Sequence, residues 1–374
     1  MPVERSLPEV IRNLLTFGDL SFRDFVELAL YHPEFGYYTR PANPVGKGGD
    51  YITGPSLSPA FPFAIAALFR ELMGRDEAAV YSFVDIGCGD GSLVRAVAAQ
   101  VAGEKARFFG VDRNLERVHA AAGEEPAAGR VAFLTTLDQV PRDGIHLIFS
   151  SELYDAIPFA RLVQRGGHLH ELWVTERDGT LDWSEHEAPP AYDDYFAERQ
   201  LELSEGQFAD LALEWEAYYA DVARFVSRGL IVTIDYGYEA KKLFHPRARR
   251  FGTAAAYSRH RVHRDLLADP GEQDLTAHIN FTDLDRAGER FGARTLFFDS
   301  LAKFLLSIGI TEHDLFRPVH EIPISGAAEG LQILEAREEA RRLVLPDGMG
   351  EDLRALVQVK GLSFENWSFQ RKLF

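Results

Sequence analysis

The run Asp85-Ile86-Gly87-Cys88-Gly89-Asp90-Gly91 places a carboxylate two residues ahead of the first of three glycines set at steps of two. It leaves an apolar stretch, Val80 to Ile86, and enters Ser92 to Ala102, where Val94, Val97 and Val101 recur at steps of three and four. A strand, a glycine turn and a helix in that order let the backbone approach a ligand closely and offer it the free N–H groups of the helix start. Turns that hold a pyrophosphate read G-x-G-x-x-G, and a carboxylate at this spot would repel one. A ligand carrying a sulfonium and an amine would gain from Asp85 instead, and S-adenosylmethionine is such a ligand. Asp112 closes a second apolar stretch, Arg107 to Asp112, 25 residues after Gly87. There a carboxylate reaches the ribose hydroxyls of a nucleoside at the sheet edge, or else caps the helix that follows. The spacing supports a nucleoside without naming the cofactor. Cys88 reads as a small space-filler, since no histidine is near in sequence to activate a thiolate.

A second group of polar residues stands at the end of a fourth apolar stretch, Ile145 to Ser151, in the run Ser150-Ser151-Glu152-Leu153-Tyr154-Asp155. In doubly wound sheets ligands bind outside the carboxyl ends of the strands, which assigns Ser150 to the cofactor and Glu152 and Asp155 to catalysis. Two carboxylates three residues apart can hold a guanidinium through bidentate, charge-assisted bonds. The alternative is a structural pair, with Asp155 capping a turn and Glu152 binding a backbone N–H. Asp235, at the end of a fifth stretch, Gly229 to Asp235, joins the same rim as a third catalytic candidate, and Tyr154 reads as packing. His260 and His263 lie in a basic segment that reads as a solvated loop more than a general base, and His278 as a buttress for the turn before it. No Cys/His spacing or carboxylate cluster has the pattern of a metal site.

The elements that must carry these residues are seven predicted strands, completed by Val131 to Thr135, Ala293 to Phe298 and Leu353 to Lys360. Their alternation with amphipathic stretches predicts an α/β fold: a Rossmann-like sheet of about seven strands with helices on both faces and added helical segments. Ser58-Pro59 predicts a helix start ahead of Phe61, Ile65, Leu68 and Leu72, and Thr282 with Asp285 a capping-box start for another. Six segments follow: a lead-in and cofactor lid over 1–55, the nucleoside-binding half over 56–174, an acidic helical insertion over 175–228, the second half of the sheet over 229–298 with a long basic loop at 236–281, a helical addition over 299–345, and the last strand and tail over 346–374. In the lid, Gly49 frees the backbone while Tyr51 and Thr53 offer the cofactor an aromatic face and a hydroxyl.

Composition narrows the partners. With 40 basic and 57 acidic side chains the formal net charge is −17, a field that repels phosphate backbones and attracts cations or basic peptide segments. Nucleic acid is thereby an unfavourable partner. One cysteine excludes an intrachain disulfide. No apolar stretch approaches the ~20 residues of a membrane span, and the charged N-terminus lacks the apolar core of a secretory signal, so a cytoplasmic protein is expected.

Further segments carry a resemblance. These are Ser21-Phe22-Arg23-Asp24-Phe25, Tyr31-His32-Pro33-Glu34-Phe35-Gly36-Tyr37-Tyr38, Gly48-Gly49-Asp50-Tyr51-Ile52-Thr53, Glu152-Leu153-Tyr154-Asp155-Ala156-Ile157-Pro158, Ile234-Asp235-Tyr236-Gly237 and Pro270-Gly271-Glu272-Gln273-Asp274-Leu275-Thr276-Ala277-His278. With the glycine turn and Asp112 they resemble, in order, the MidA-like group of class I S-adenosylmethionine-dependent methyltransferases, which includes a mitochondrial protein arginine methyltransferase acting in assembly of respiratory NADH dehydrogenase. The chain departs from the family pattern at Gly54 and Ser56 after Thr53, at Ser151 before Glu152, at Ala254-Ala255 and at Leu301. The resemblance implies S-adenosylmethionine as cofactor, a protein substrate with an arginine acceptor, and catalysis near Glu152. A small-molecule methyltransferase and a non-catalytic assembly factor that keeps the cofactor site are the competing expectations.

Overall fold

The protein is described by a computed structural model over residues 6–39, 58–101, 103–114, 130–258, 261–322, 326–346 and 348–371. Seven strands form the central sheet: β1 (Tyr81–Ile86), β2 (Ala106–Val111), β3 (Val131–Leu134), β4 (Ile145–Ser151), β5 (Gly229–Tyr238), β6 (Arg294–Ser300) and β7 (Leu353–Lys360). Their order is β6-β7-β5-β4-β1-β2-β3, and Ile279–Asn280 adds a short eighth strand beside the end of β5. The run from β5 through β3 is parallel, whereas β7 is antiparallel to both neighbours. This is the Rossmann-like α/β fold expected, and each of the seven predicted strands is present.

Side-chain alternation explains why both faces of the sheet must be covered. Tyr81 and Phe83 of β1, Leu147 and Phe149 of β4, and Leu230, Val232 and Ile234 of β5 pack on one face with the helices Ala60–Met73 and Ser92–Gln100. Their neighbours Val84, Ile148 and Ile231 pack on the other face with Phe22 and Phe25 of the helix Phe22–Tyr31 and Trp215 and Tyr219 of the helix Glu214–Phe225. The helix predicted after Ser58-Pro59 runs from Ala60, and Phe61, Ile65, Leu68 and Leu72 are all buried along it. The other predicted start moves by two residues: Asn280, rather than Thr282, caps the helix Phe281–Arg290, and Asp285 takes the hydroxyl of Thr295 instead.

Two expectations are corrected. The segment 175–228 is not mainly helical, because Thr180–Glu187 and Phe208–Leu211 join Leu20–Ser21, Ala160–Arg165 and His168–Arg177 in a five-stranded antiparallel sheet. Its hairpins turn through Gly166-Gly167 and Asp178-Gly179, all four residues having positive φ, the backbone that matches strand twist in a two-residue turn. The segment 236–281 is not an open loop either. Ala255–Ser258 pairs with Arg261–His263 on one side and Asp274–Thr276 on the other, so a small antiparallel sheet supplies hydrogen bonds that a buried loop would lack. No helix among the described residues is long and apolar enough to cross a membrane.

Candidate active site

The glycine turn folds at the carboxyl end of β1. Gly87 and Cys88 donate their N–H groups to the carbonyl of Val111 at 2.8 and 3.2 Å, and Gly91 donates to Cys88 at 2.8 Å. Gly87, Gly89 and Gly91 have φ of 71, 57 and 73°, the left-handed region that glycine enters without steric cost. Two of them are also confined by packing. A Cβ on Gly87 would lie 2.8 Å from Cδ1 of Leu153, and one on Gly91 would lie 2.6 Å from Cε1 of Phe133. Among the described residues, a Cβ on Gly89 would meet nothing within 4 Å, so on their side this glycine borders open space.

That space is a cavity of about 990 Å³. Its wall includes Asp85, Gly87, Gly89, Asp90 and Asp112 from the ends of β1 and β2, and Ser151, Glu152 and Leu153 from the end of β4. Asp85 is buried, and its carboxyl is pushed well above the usual carboxylate range by burial first and then by the charges of Asp112 and Asp90. Asp112 accepts the N–H of Gly89 on Oδ2 and the N–H of Asn114 on Oδ1, both at 2.9 Å. A carboxylate offers about four lone-pair sites, so beyond these two donors from the described residues it has room for hydroxyls. Cys88 is buried and its thiol is pushed far up by burial and by Asp85, which makes it a filler and not a nucleophile.

These residues fit S-adenosylmethionine. The open face of Gly89 provides a cradle, three converging carboxylates are relieved by a cationic ligand, and the buried Oγ of Ser151 has no hydrogen-bond partner among the described residues. Asp112 would hold the ribose hydroxyls and Asp85 with Asp90 would face the charged end. Ser150, expected at the cofactor, is instead buried in the sheet and bonds Thr233 at 3.3 Å. Strand alternation turns Ser151 toward the cavity and Ser150 away from it.

The second polar group begins with a conformational outlier. Glu152 has φ of 52°, left-handed backbone that costs an L-residue about 1–2 kcal/mol. Its N–H continues the parallel ladder to the carbonyl of Ile234 at 2.8 Å, and the chain then turns so that Glu152 lines the cavity. Asp155 and Asp235 do not line it. Asp155 is 5% exposed, and burial together with Asp235, Glu152 and Asp274 pushes its carboxyl well above the usual range. Asp235, placed by the sequence among the catalytic residues, is fully buried and occupied with backbone. Its Oδ2 accepts the N–H groups of Leu153 and Tyr154 at 3.2 and 2.8 Å, and its Oδ1 that of Tyr236 at 2.8 Å. Burial pushes this carboxyl up to about 7, against the pull of those donors. Tyr154 packs in the core and accepts the indole N–H of Trp215 on its carbonyl at 2.8 Å.

Gly49, Tyr51, Thr53 and His260 lie outside the described residues. His263 stands on the strand Arg261–His263, and His278 places its ring beside Tyr236 and Tyr238. Sequence reasoning missed three other parts of the wall: Thr135 to Asp138 after β3; Tyr31, Tyr38 and Thr39 near the N-terminus; and Tyr218, Asp221, Arg224 and Phe225 on the helix Glu214–Phe225. The first could have been found, since it follows a predicted strand at the ligand-binding end of the sheet. The last is a helix face contributed from the insertion, and nothing local marks it.

Residues 65–298 match the model of a family described as "Putative S-adenosyl-L-methionine-dependent methyltransferase". The chain is 22% identical over 318 residues to the protein arginine methyltransferase NDUFAF7, mitochondrial, of Danio rerio, covering 76% of this chain and 72% of that protein. It is 21% identical over 348 residues to the Homo sapiens protein of the same name, covering 77% and 70%. Among solved structures it resembles a Burkholderia thailandensis protein described as a likely methyl transferase and bound to S-adenosyl-homocysteine, with a TM-score of 0.83 and 25% identity, covering 99% of this chain and 97% of the other.

Proposed function

We propose that this chain, which belongs to the MidA-like family of S-adenosylmethionine-dependent methyltransferases, methylates a protein side chain, with arginine the favoured acceptor, during assembly of a partner complex. The observation that carries the reading is the charge of the cavity wall. Among the described residues, Glu27, Asp85, Asp90, Asp112, Asp138, Glu152 and Asp221 share that wall with Arg113, Arg142 and Arg224. Each of these arginines is already paired with an acid of the same wall: Arg113 with Glu27, Arg142 with Asp138 and Arg224 with Asp221. Acids thus outnumber basic side chains among the described residues of the wall, which attracts cations, and the rim at Asp138 and Asp221 is well exposed, as access for a macromolecule requires. The names of the NDUFAF7 relatives point to arginine.

S-adenosylmethionine, when bound, supplies an electrophilic methyl carbon on a sulfonium. Alignment is the chief task left to the protein, because in-line displacement is steep in its dependence on geometry. Glu152 holds the guanidinium by charge-assisted hydrogen bonds and turns one nitrogen toward the methyl group. That nitrogen's lone pair forms the new C–N bond as the C–S bond breaks. The guanidinium, with a pKa above ~12, would release its proton to solvent only after the bond has begun to form, leaving a methylated cation that Glu152 stabilises.

Incubation of the purified chain with methyl-labelled S-adenosylmethionine and native cell extract, followed by mass-spectrometric localisation of the label, tests this. Label on arginine of a protein is the expected result. Label confined to small molecules would make it a small-molecule methyltransferase, and cofactor binding with no labelled species would make it an assembly factor.

A further inference from the structure

The turn after β4 is held at several points, most of them behind the cavity wall. Glu152 is pinned by the last step of the β4–β5 ladder, through its N–H to Ile234. The following two N–H groups converge on a single oxygen of Asp235, whose other oxygen caps its own neighbour, Tyr236. Beyond them the carbonyl of Tyr154 is held by Trp215, and the side chain of Leu153 rests against the bare face of Gly87. A left-handed residue other than glycine persists only where its surroundings over-determine it, and here the over-determining group is a fully buried carboxylate. Asp235 sits on the neighbouring strand, so it fixes the turn relative to the sheet and not merely to itself.

We infer that Asp235 is a positioning residue, the anchor that holds Glu152 in its left-handed conformation and so aims the acceptor-binding carboxylate beside the glycine turn. The inference rests on the proposed role of Glu152. Asp235 lies outside the cavity wall, and it reaches Glu152 through the backbone N–H groups of the residues that follow it, Leu153, Tyr154 and Asp155.

The experiment combines kinetics with hydrogen exchange. Asp235→Asn keeps the side-chain shape but turns an N–H₂ group toward backbone donors. The turnover number should then fall by about 10²-fold, the scale of a displacement of ~1 Å near the reacting atoms, while calorimetric affinity for S-adenosylmethionine stays level. Glu152→Gln should be costly alone, and adding Asp235→Asn to it should cost nothing more, because both changes remove one interaction. Multiplying losses would overturn the inference, since a merely structural role for Asp235 would lower activity whatever stands at 152. Should Asp235→Asn fail to fold, wild type decides: the amides of Leu153 and Tyr154 must exchange as slowly as those of the core strands, and rapid exchange overturns the anchor. A wild-type chain that transfers no methyl group would remove the proposed function while leaving that protection in place.

Discussion

Two turns meet in the cavity with the same handedness of backbone and opposite choices of residue. The turn after β1 uses Gly87, Gly89 and Gly91 at φ of 57 to 73°, and the turn after β4 uses Glu152 at 52°. Glycine removes the strain and the side chain together, which suits a wall that a ligand must approach. Glutamate keeps the strain because its side chain is the purpose of the turn, and the backbone is then fastened by Asp235, Ile234 and Trp215. Left-handed backbone is therefore a way of clearing space in one place and of delivering a carboxylate in the other.

The largest expected effect separates glycines within the first turn. Gly91→Val drives a branched side chain into Phe133 as well as forcing a left-handed valine, and should cost about 3 kcal/mol or more of stability by chemical denaturation. Gly89→Val meets no described residue within 4 Å and should cost only about 1–2 kcal/mol, the backbone share. Both should abolish binding of S-adenosylmethionine by calorimetry. Equal stability losses would mean that the space over Gly89 is not reserved for a ligand.

Next comes Glu152→Gln, which should lower turnover by ~10²-fold, about 2.7 kcal/mol, the scale for removing one electrostatic group from an active site. Cofactor affinity should hold; a parallel loss would move Glu152 to the cofactor and merge the two turns into one site. A smaller effect concerns pH. A carboxyl raised from 3.8 to about 7 on folding binds protons more tightly in the folded protein, so its contribution to stability falls as pH rises from about 4 to about 7. The stability of wild type relative to Asp235→Asn should decline across that window and level off above it. A flat difference would show that Asp235 titrates normally. The smallest effect is Glu152→Gly, which relieves the left-handed strain and should raise stability by up to about 1 kcal/mol while removing activity. Lost stability would show that the glutamate side chain, and not the backbone, holds the second turn.

The central sheet was legible because its strands are short apolar runs whose alternate residues are buried on both faces, a pattern that local sequence carries in full. The places of Asp85, Asp112 and Glu152 on the cavity wall were legible because they stand at the end of such runs or just after them, at the ligand-binding end of the sheet. Ser150 was placed a residue away from the one that reaches the cavity, since parity along β4 depends on which neighbour lies behind it, and Thr233 comes from another strand. Asp235 was misplaced for a similar reason: its partners Leu153 and Tyr154 stand some 80 residues earlier in the chain. The added antiparallel sheet was hidden by polar, partly exposed strands such as Thr180–Glu187, although Gly166-Gly167 and Asp178-Gly179 were local signs of its hairpins.

The position of β7 bears on how the protein must be made. Translation delivers β5 and β6 first, yet their shared partner, Leu353–Lys360, emerges only after the whole helical stretch that follows β6. Until then a nascent chain presents two unsatisfied strand edges, surfaces that recruit other chains. That interval ends in a single antiparallel insertion, which makes residues 353–360 the last strand of the sheet to be made and the one that joins β6 to the rest.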